Sequence, residues 1–358
     1  LLLRQTHHWA ANVFIAAIAL HLLRVFFTGA FRRPRDLTYY VGVTMLALAL
    51  LEGFLGYSLL DDLLSGMGLA IAYSIVLSVP FVGGNLGLLL WGGEYPGAAD
   101  FLSRVYIAHV LLLPLAIGGL IGLHLLLVAL TKHSQFPGRR RTERNVVGTP
   151  LWPGYALRAL GLACSVAAVL FTLGGLVQIN PIWLWGPYQT WLSTNGAQPD
   201  WYVGWLIGAL RLMPAWEPAL GGHTLAGNAF FGGLLFPLLV FGFLYLWPTL
   251  ERRITGDRSF HHLLDRPRDA PLRTATGLAL FTCIALVLLA GSADRVFVEV
   301  GIPYTWQVWI YRVAVLALPP LAFLLARRIC RELAEHELHP LRGWDSSPRR
   351  GRPPGFDS

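Results

Sequence analysis

Seven apolar runs, at about 8–28, 38–60, 104–130, 155–177, 225–247, 271–291 and 306–329, constrain this chain more than any other feature. Each is long enough to cross a hydrocarbon core of roughly 30 Å as a helix. Inside lipid, only helices and closed barrels leave no backbone group unpaired. The composition agrees, with 55% of the 358 residues hydrophobic and 13% charged, which excludes an ordinary soluble protein of this size. The chain therefore reads as an all-α membrane protein with seven transmembrane helices. It starts without a methionine and almost inside the first run, which points to a fragment or processed form with upstream spans missing; no signal peptide is visible.

A net charge of +8 could suggest nucleic acid as a partner, but the distribution argues against it. Segments 29–37, 131–153, 248–273 and 327–358 hold most of the 28 Lys and Arg, whereas the alternate loops 61–102, 178–222 and 292–305 hold only Arg211 and Arg295. That is the positive-inside pattern, and it puts the basic segments and the C-terminus in the cytoplasm. Cys164, Cys283 and Cys330 form no CxxC or CxxCH, so they offer no iron–sulfur or covalent haem site and read as packing residues.

Two of the apolar stretches carry histidines: His7 and His21 in RQTHHWAANVFIAAIALHLLR, and His109 and His124 in RVYIAHVLLLPLAIGGLIGLH. An imidazole inside a membrane is costly unless it has a partner, so it marks a functional site. At 100° per residue, 14 steps leave His7 and His21 about 40° apart, and 15 steps leave His109 and His124 about 60° apart, so each pair shares one face. His8 lies roughly 140° from His21 and faces protein or water. Both pairs are separated by about 21–22 Å of helix rise. The charge pattern makes the two helices run the same way, so His7 meets His109 near the outer surface and His21 meets His124 near the cytoplasm. Two bis-histidine haems fit this ladder. On the second span Gly42 and Gly56, also 14 apart, would let a flat macrocycle approach the backbone.

Residues 57–102 are apolar but broken by Asp61, Asp62, Gly66, Gly68, Pro80, Gly83 and Gly84, and read as short interfacial helices. The loop 178–222 is dense in Trp and Tyr, and Pro199-Asp200-Trp201-Tyr202 sets an acid among aromatics where a lipid-soluble ring could dock. The alternative for Asp200 is a helix cap. Residues 331–358, ending in PRRGRPPG and beyond, read as a disordered tail.

The motifs RQTH, HLLR, GYSLLDDLLSG, KHSQFPG, RTERNVVG, INPIW, QPDWY and HHLLDRPRD together resemble the cytochrome b subunit of quinol–cytochrome c reductase, the bc1 complex, in its actinobacterial form. The resemblance covers nearly the whole chain. It implies helices B to H of an eight-span fold, with helix A absent: a dihaem bundle part in 1–130, a cytoplasmic connection in 131–153, and a C-terminal three-helix part in 154–330. It implies two non-covalent haem b groups, an outer low-potential one between His7 and His109 and an inner high-potential one between His21 and His124. Arg4 and Arg24 match positions that meet haem propionates, and Gly42 and Gly56 match haem-contacting glycines. The PEWY motif of the family stands here as Pro199 to Tyr202.

From the resemblance follows a translocase subunit of the respiratory chain in the bacterial cell membrane. Menaquinol would be oxidised at an outer site, with its two electrons dividing between an iron–sulfur protein and the haems, and a second quinone would be reduced near the cytoplasm. Asp200 and Tyr57 would accept protons, with Gly68, Pro199, Trp201 and Tyr202 binding quinol. The inner quinone site has no clear residues beyond His133 and Arg144. Implied partners are a Rieske subunit, a cytochrome c subunit, lipid, a second copy and a terminal oxidase. Two departures are Leu60, where relatives usually have proline, and Ile207, where relatives often have an acid; they argue for a non-catalytic paralogue, whereas the intact Asp200 and Tyr57 argue against it. A dihaem membrane anchor of a dehydrogenase is the other alternative.

Overall fold

The computed structural model describes residues 1–193 and 200–344, with the side chains of 294–296 and 335–344 left aside. Ten helices carry the described chain: α1 Leu2–Phe27, α2 Asp36–Ser58, α3 Leu63–Leu77, α4 Gly83–Trp91, α5 Phe101–Thr131, α6 Leu151–Leu176, α7 Trp201–Leu212, α8 Asn228–Thr255, α9 Pro271–Glu299 and α10 Tyr304–Trp344. Seven of them, α1, α2, α5, α6, α8, α9 and α10, are long and apolar enough to cross a membrane. The described residues also hold one short antiparallel hairpin, β1 Ala219–Leu220 with β2 His223–Thr224, between α7 and α8. Helix α10 continues to Trp344, so the expected tail begins as helix rather than as disorder at 331; residues 345–358 lie outside those described.

The region 57–102 folds as two short helices. Asp62 starts α3 with a capping box: its carboxylate accepts from the Leu64 and Ser65 amides at 2.8 and 3.1 Å, and Ser65 Oγ returns towards the Asp62 amide. That reciprocal cap gives partners to three N–H groups, those of Asp62, Leu64 and Ser65, in a buried position.

Helix α5 contains a π turn at Ala108–Leu112, where the Leu113 amide reaches the Ala108 carbonyl. Pro114 follows one residue later and has no N–H to give the preceding turn. Such single wide turns insert one extra residue into a helix. His109 stands in this turn, so on the way to His124 the turn absorbs the fifteenth step and brings that pair close to the 14-step geometry of α1.

Helix α1 packs on α2 and α6, and α5 packs on α2. Helices α7, α9 and α10 form a second group, with Gly204 and Gly208 of α7 set directly against Val287 and Gly291 of α9; a Cβ at any of these glycines would strike the facing backbone or side chain. At one end, Phe26, Phe31, Tyr39, Val43, Leu244 and Trp247 join α1, α2 and α8 in one core. The adjoining loops are tied by Arg35, whose guanidinium donates to the carbonyls of Thr131, Lys132 and His261 and meets His262 Nδ1 at 2.9 Å. Gln135 pairs with the 262–264 backbone in the same knot.

Candidate functional site

The four span histidines meet in two pairs. His7 and His109 have ring centroids 6.1 Å apart with ring planes at 83°, and His21 and His124 stand 6.4 Å apart at 72°. A metal–imidazole bond is about 2.0–2.1 Å, and a ring nitrogen lies about 1.1 Å from its centroid, so two trans imidazoles on one metal have centroids roughly 6.3 Å apart. Both pairs match that span. Among the described residues no cluster of three or more His, Cys, Asp or Glu could hold a metal ion by itself. Two donors per pair suit a metal whose remaining ligands come from a macrocycle, as in haem.

The glycines of α2 stand against the same rings. A Cβ on Gly42 would lie 3.7 Å from His124 Cε1, and one on Gly56 would crowd the His109 ring at 3.0 Å from Nε2. His109 Nδ1 is engaged by Glu52, at 2.9 Å from Oε1 and 3.2 Å from the backbone carbonyl oxygen. Its Nε2 is thereby left for a metal, the usual division of labour for a ligating imidazole. Glu52 was not among the residues expected from sequence. Its signal was an unpaired acid in mid-span, four residues before Gly56.

A cavity of about 550 Å³ opens beside the second pair, lined by His21, His124, Gly42, Arg24, Arg35 and Lys132 among others. His133 lines it too, whereas Arg144 does not. Arg4, the other expected propionate partner, donates instead to the Asn180 carbonyl at 3.3 Å.

A second cavity, about 250 Å³, lies near the first pair and is almost wholly apolar in character. Tyr57, Gly68, Asp200 and Tyr202 line it together with Phe54 and Ile207. Trp201 is not part of the lining and is 42% exposed. Pro199 lies outside the described residues, and Leu60 is not in the lining; its amide donates to the Tyr57 carbonyl and its own carbonyl accepts from Ser65 Oγ. Asp200 starts α7, yet its side chain makes no capping bond. Both its oxygens lie 2.8 Å from His8 Nε2, and Oδ2 also accepts from Tyr202 Oη at 3.0 Å. Burial first, then the Asp200 carboxylate, pushes the Tyr202 phenol up, so it acts as a donor rather than a base. His8, which the helix geometry turned away from the haem face, is thus the residue that holds the loop acid.

The family described as cytochrome b (N-terminal)/b6/petB matches residues 12–187. The chain is 44% identical to a cytochrome bc1 complex cytochrome b subunit of Streptomyces coelicolor, over 94% of this chain and 62% of that protein. It is 45% identical to the subunit of the same name from Corynebacterium diphtheriae, over 94% and 63%, and 45% identical to that from Mycobacterium tuberculosis, over 92% and 60%. The chain thus spans about three-fifths of the length of these relatives. A solved structure titled hyperthermophilic respiratory Complex III has the same fold, with a TM-score of 0.66 at 21% identity, covering 91% of this chain and 80% of that one. With these similarities added to its seven apolar helices, the chain is a multi-pass membrane protein that belongs to the cytochrome b family.

Proposed function

We propose that the chain is the dihaem cytochrome b subunit of a respiratory menaquinol–cytochrome c reductase, a translocase of the bacterial cell membrane. The observation that carries this reading is the pair of facing imidazole couples, spaced at 6.1 and 6.4 Å, with the Asp200 cavity beside the first. When bound, two haem b groups supply one-electron transfer between the two membrane faces. His7 and His109 hold the outer one, and His21 and His124 the inner one. Glu52 orients His109, Gly42 and Gly56 leave room for the macrocycle, and Arg24 serves a propionate.

At the outer cavity a quinol ring would lie between Tyr57, Gly68 and α7. Asp200 takes the hydroxyl proton as a positioned general base at the apolar cavity. His8 and Tyr202 fix the carboxylate's direction, and Tyr57 is the second hydroxyl within the lining. The inner quinone would bind at the mouth of the larger cavity, with His133 and Lys132 at its edge. The working assembly contains a Rieske iron–sulfur subunit, a cytochrome c subunit and a second copy of this chain, and associates with a terminal oxidase. The C-terminus is cytoplasmic, residues 1–130 form the haem part and 154–330 the part that carries the outer quinol loop.

Ile207, an apolar residue in the cavity lining, favours a second reading: a relative that keeps the haems but no longer oxidises quinol. Haem b per chain, followed by a redox titration and reduction by menaquinol, separates the two. Two haems reducible by menaquinol support the catalytic reading. Two haems that menaquinol does not reduce support the second, and fewer than two overturn both.

A further inference from the structure

Asp62 is fully buried at the start of α3. Its cap uses one oxygen: Oδ1 accepts from the Leu64 and Ser65 amides, and Oδ2 has no hydrogen-bond partner. Among the described residues no cation pairs with it. An asparagine caps a helix as well as an aspartate does, so the cap accounts for neither the second oxygen nor the charge. A buried polar atom without a partner is rare enough to call for a reason, and a catalytic role is one such reason. The group beside Asp62 is Tyr57. The Leu60 amide donates to the Tyr57 carbonyl in the turn that joins them, and the Tyr57 ring lies on α3, where a Cβ at Gly68 would fall 3.5 Å from its Cε1. Through space the phenol is acted on by two carboxylates, Asp62 and Asp200.

Tyr57 and Asp200 line the outer cavity, whereas Asp62 lies behind the lining. A neutral phenol passes a proton on but does not keep an extra one, so a hydroxyl in the lining takes a proton only if a base stands behind it. Quinol oxidation releases two protons, and Asp200 is the base for one of them. We infer that Asp62 is the acceptor of the second, reached through Tyr57. This rests on the quinol-oxidising reading given above. The first quinol O–H bond breaks towards Asp200. The second breaks with its proton bonding to Tyr57 Oη, while the phenol's own proton moves to Asp62 Oδ2. The two electrons leave to one-electron acceptors of the assembly, each reduced by one, so the products are a quinone and two protonated carboxyls. Asp61, the preceding residue, is exposed and gives the proton on Asp62 a way to the surrounding water. Asp62 itself touches no substrate and acts only through Tyr57.

The test uses the complete assembly with menaquinol as reductant. Asp62→Asn keeps the Oδ1 cap and removes only the titrating group. The expected result is a kcat about 10²-fold lower at unchanged KM and unchanged thermal unfolding. Tyr57→Phe should show a similar loss, and the double variant Tyr57→Phe/Asp62→Asn no further one, because both changes cut the same path. Infrared difference spectra on menaquinol addition should show a carboxylic-acid carbonyl band that Asp62→Asn removes and Tyr57→Phe weakens, which a purely structural Asp62 would not give. Should Asp62→Asn fail to assemble, Asp62→Ser supplies a cap without a carboxylate and is expected to lose the rate and the band alike. A parent that oxidises menaquinol, with Asp62→Asn at the parent kcat or with the band unchanged, would overturn the inference and leave the quinol-oxidising reading standing. A parent that does not oxidise menaquinol would overturn both.

Discussion

His109 Nδ1 lies 2.9 Å from Glu52 Oε1, whereas among the described residues no carboxylate pairs with His124. The two imidazole couples are therefore chemically unequal. A carboxylate behind a ligating histidine fixes its tautomer and strengthens it as a donor. Replacing Glu52 with Leu is expected to weaken haem retention at the outer couple about 10- to 100-fold and to leave the inner couple unchanged. Glu52→Gln keeps an acceptor and should lose much less. Haem transfer to excess apomyoglobin, followed by absorbance, reads both.

Asp200 is expected to carry the proton step of quinol oxidation. Asp200→Asn should lower the rate about 10²- to 10⁴-fold, the usual worth of a positioned acid–base group, without loss of haem. Tyr202→Phe removes one bond to the same carboxylate and should cost far less, because His8 still holds both oxygens. Stopped-flow reduction by menaquinol measures the two; an Asp200→Asn protein at the parent rate would exclude the role.

The two α2 glycines are expected to differ in tolerance. An alanine at Gly42 would meet His124 at 3.7 Å, ordinary van der Waals contact, whereas one at Gly56 would press into the His109 ring. Gly56→Ala should therefore displace the outer imidazole and reduce outer haem content severely, while Gly42→Ala stays close to the parent. Pyridine haemochrome assay and low-temperature spectra distinguish the sites.

In the loop after α8, the Ser259 hydroxyl and amide, with His261 behind them, hold the Asp257 carboxyl down at about 2. A depressed carboxylate contributes stability that is fully present above its unfolded value near 4 and is lost as pH falls towards 2. The loop's amide protection, measured as exchange relative to the intrinsic rate at each pH, should thus be constant above pH ~4 and fall below it. In Ser259→Ala the onset of faster exchange should move to higher pH; identical profiles would show that Ser259 does not hold the acid.

The spans and the histidine ladder were legible because both rest on periodicity along one helix. Lipid demands long apolar runs, and 3.6 residues per turn puts His7 with His21 on one face. The short helices of 57–102 were legible for a similar local reason, their glycine and aspartate punctuation. The helical course of Arg331–Trp344 was not, since its run of charged residues reads like a solvated tail.

What the sequence by itself determined is therefore the set of elements and which histidines share a helix face. The tertiary structure alone decided their partners. Glu52 reaches His109 across 57 residues and His8 reaches Asp200 across 192, and no spacing rule spans such distances. The wide turn at Ala108–Leu112 likewise absorbs the one-residue difference between the two histidine spacings, which a straight-helix calculation leaves standing. Hydrogen-bond partners depend on which helices are neighbours, and that follows from the packing of all the spans together rather than from any one of them.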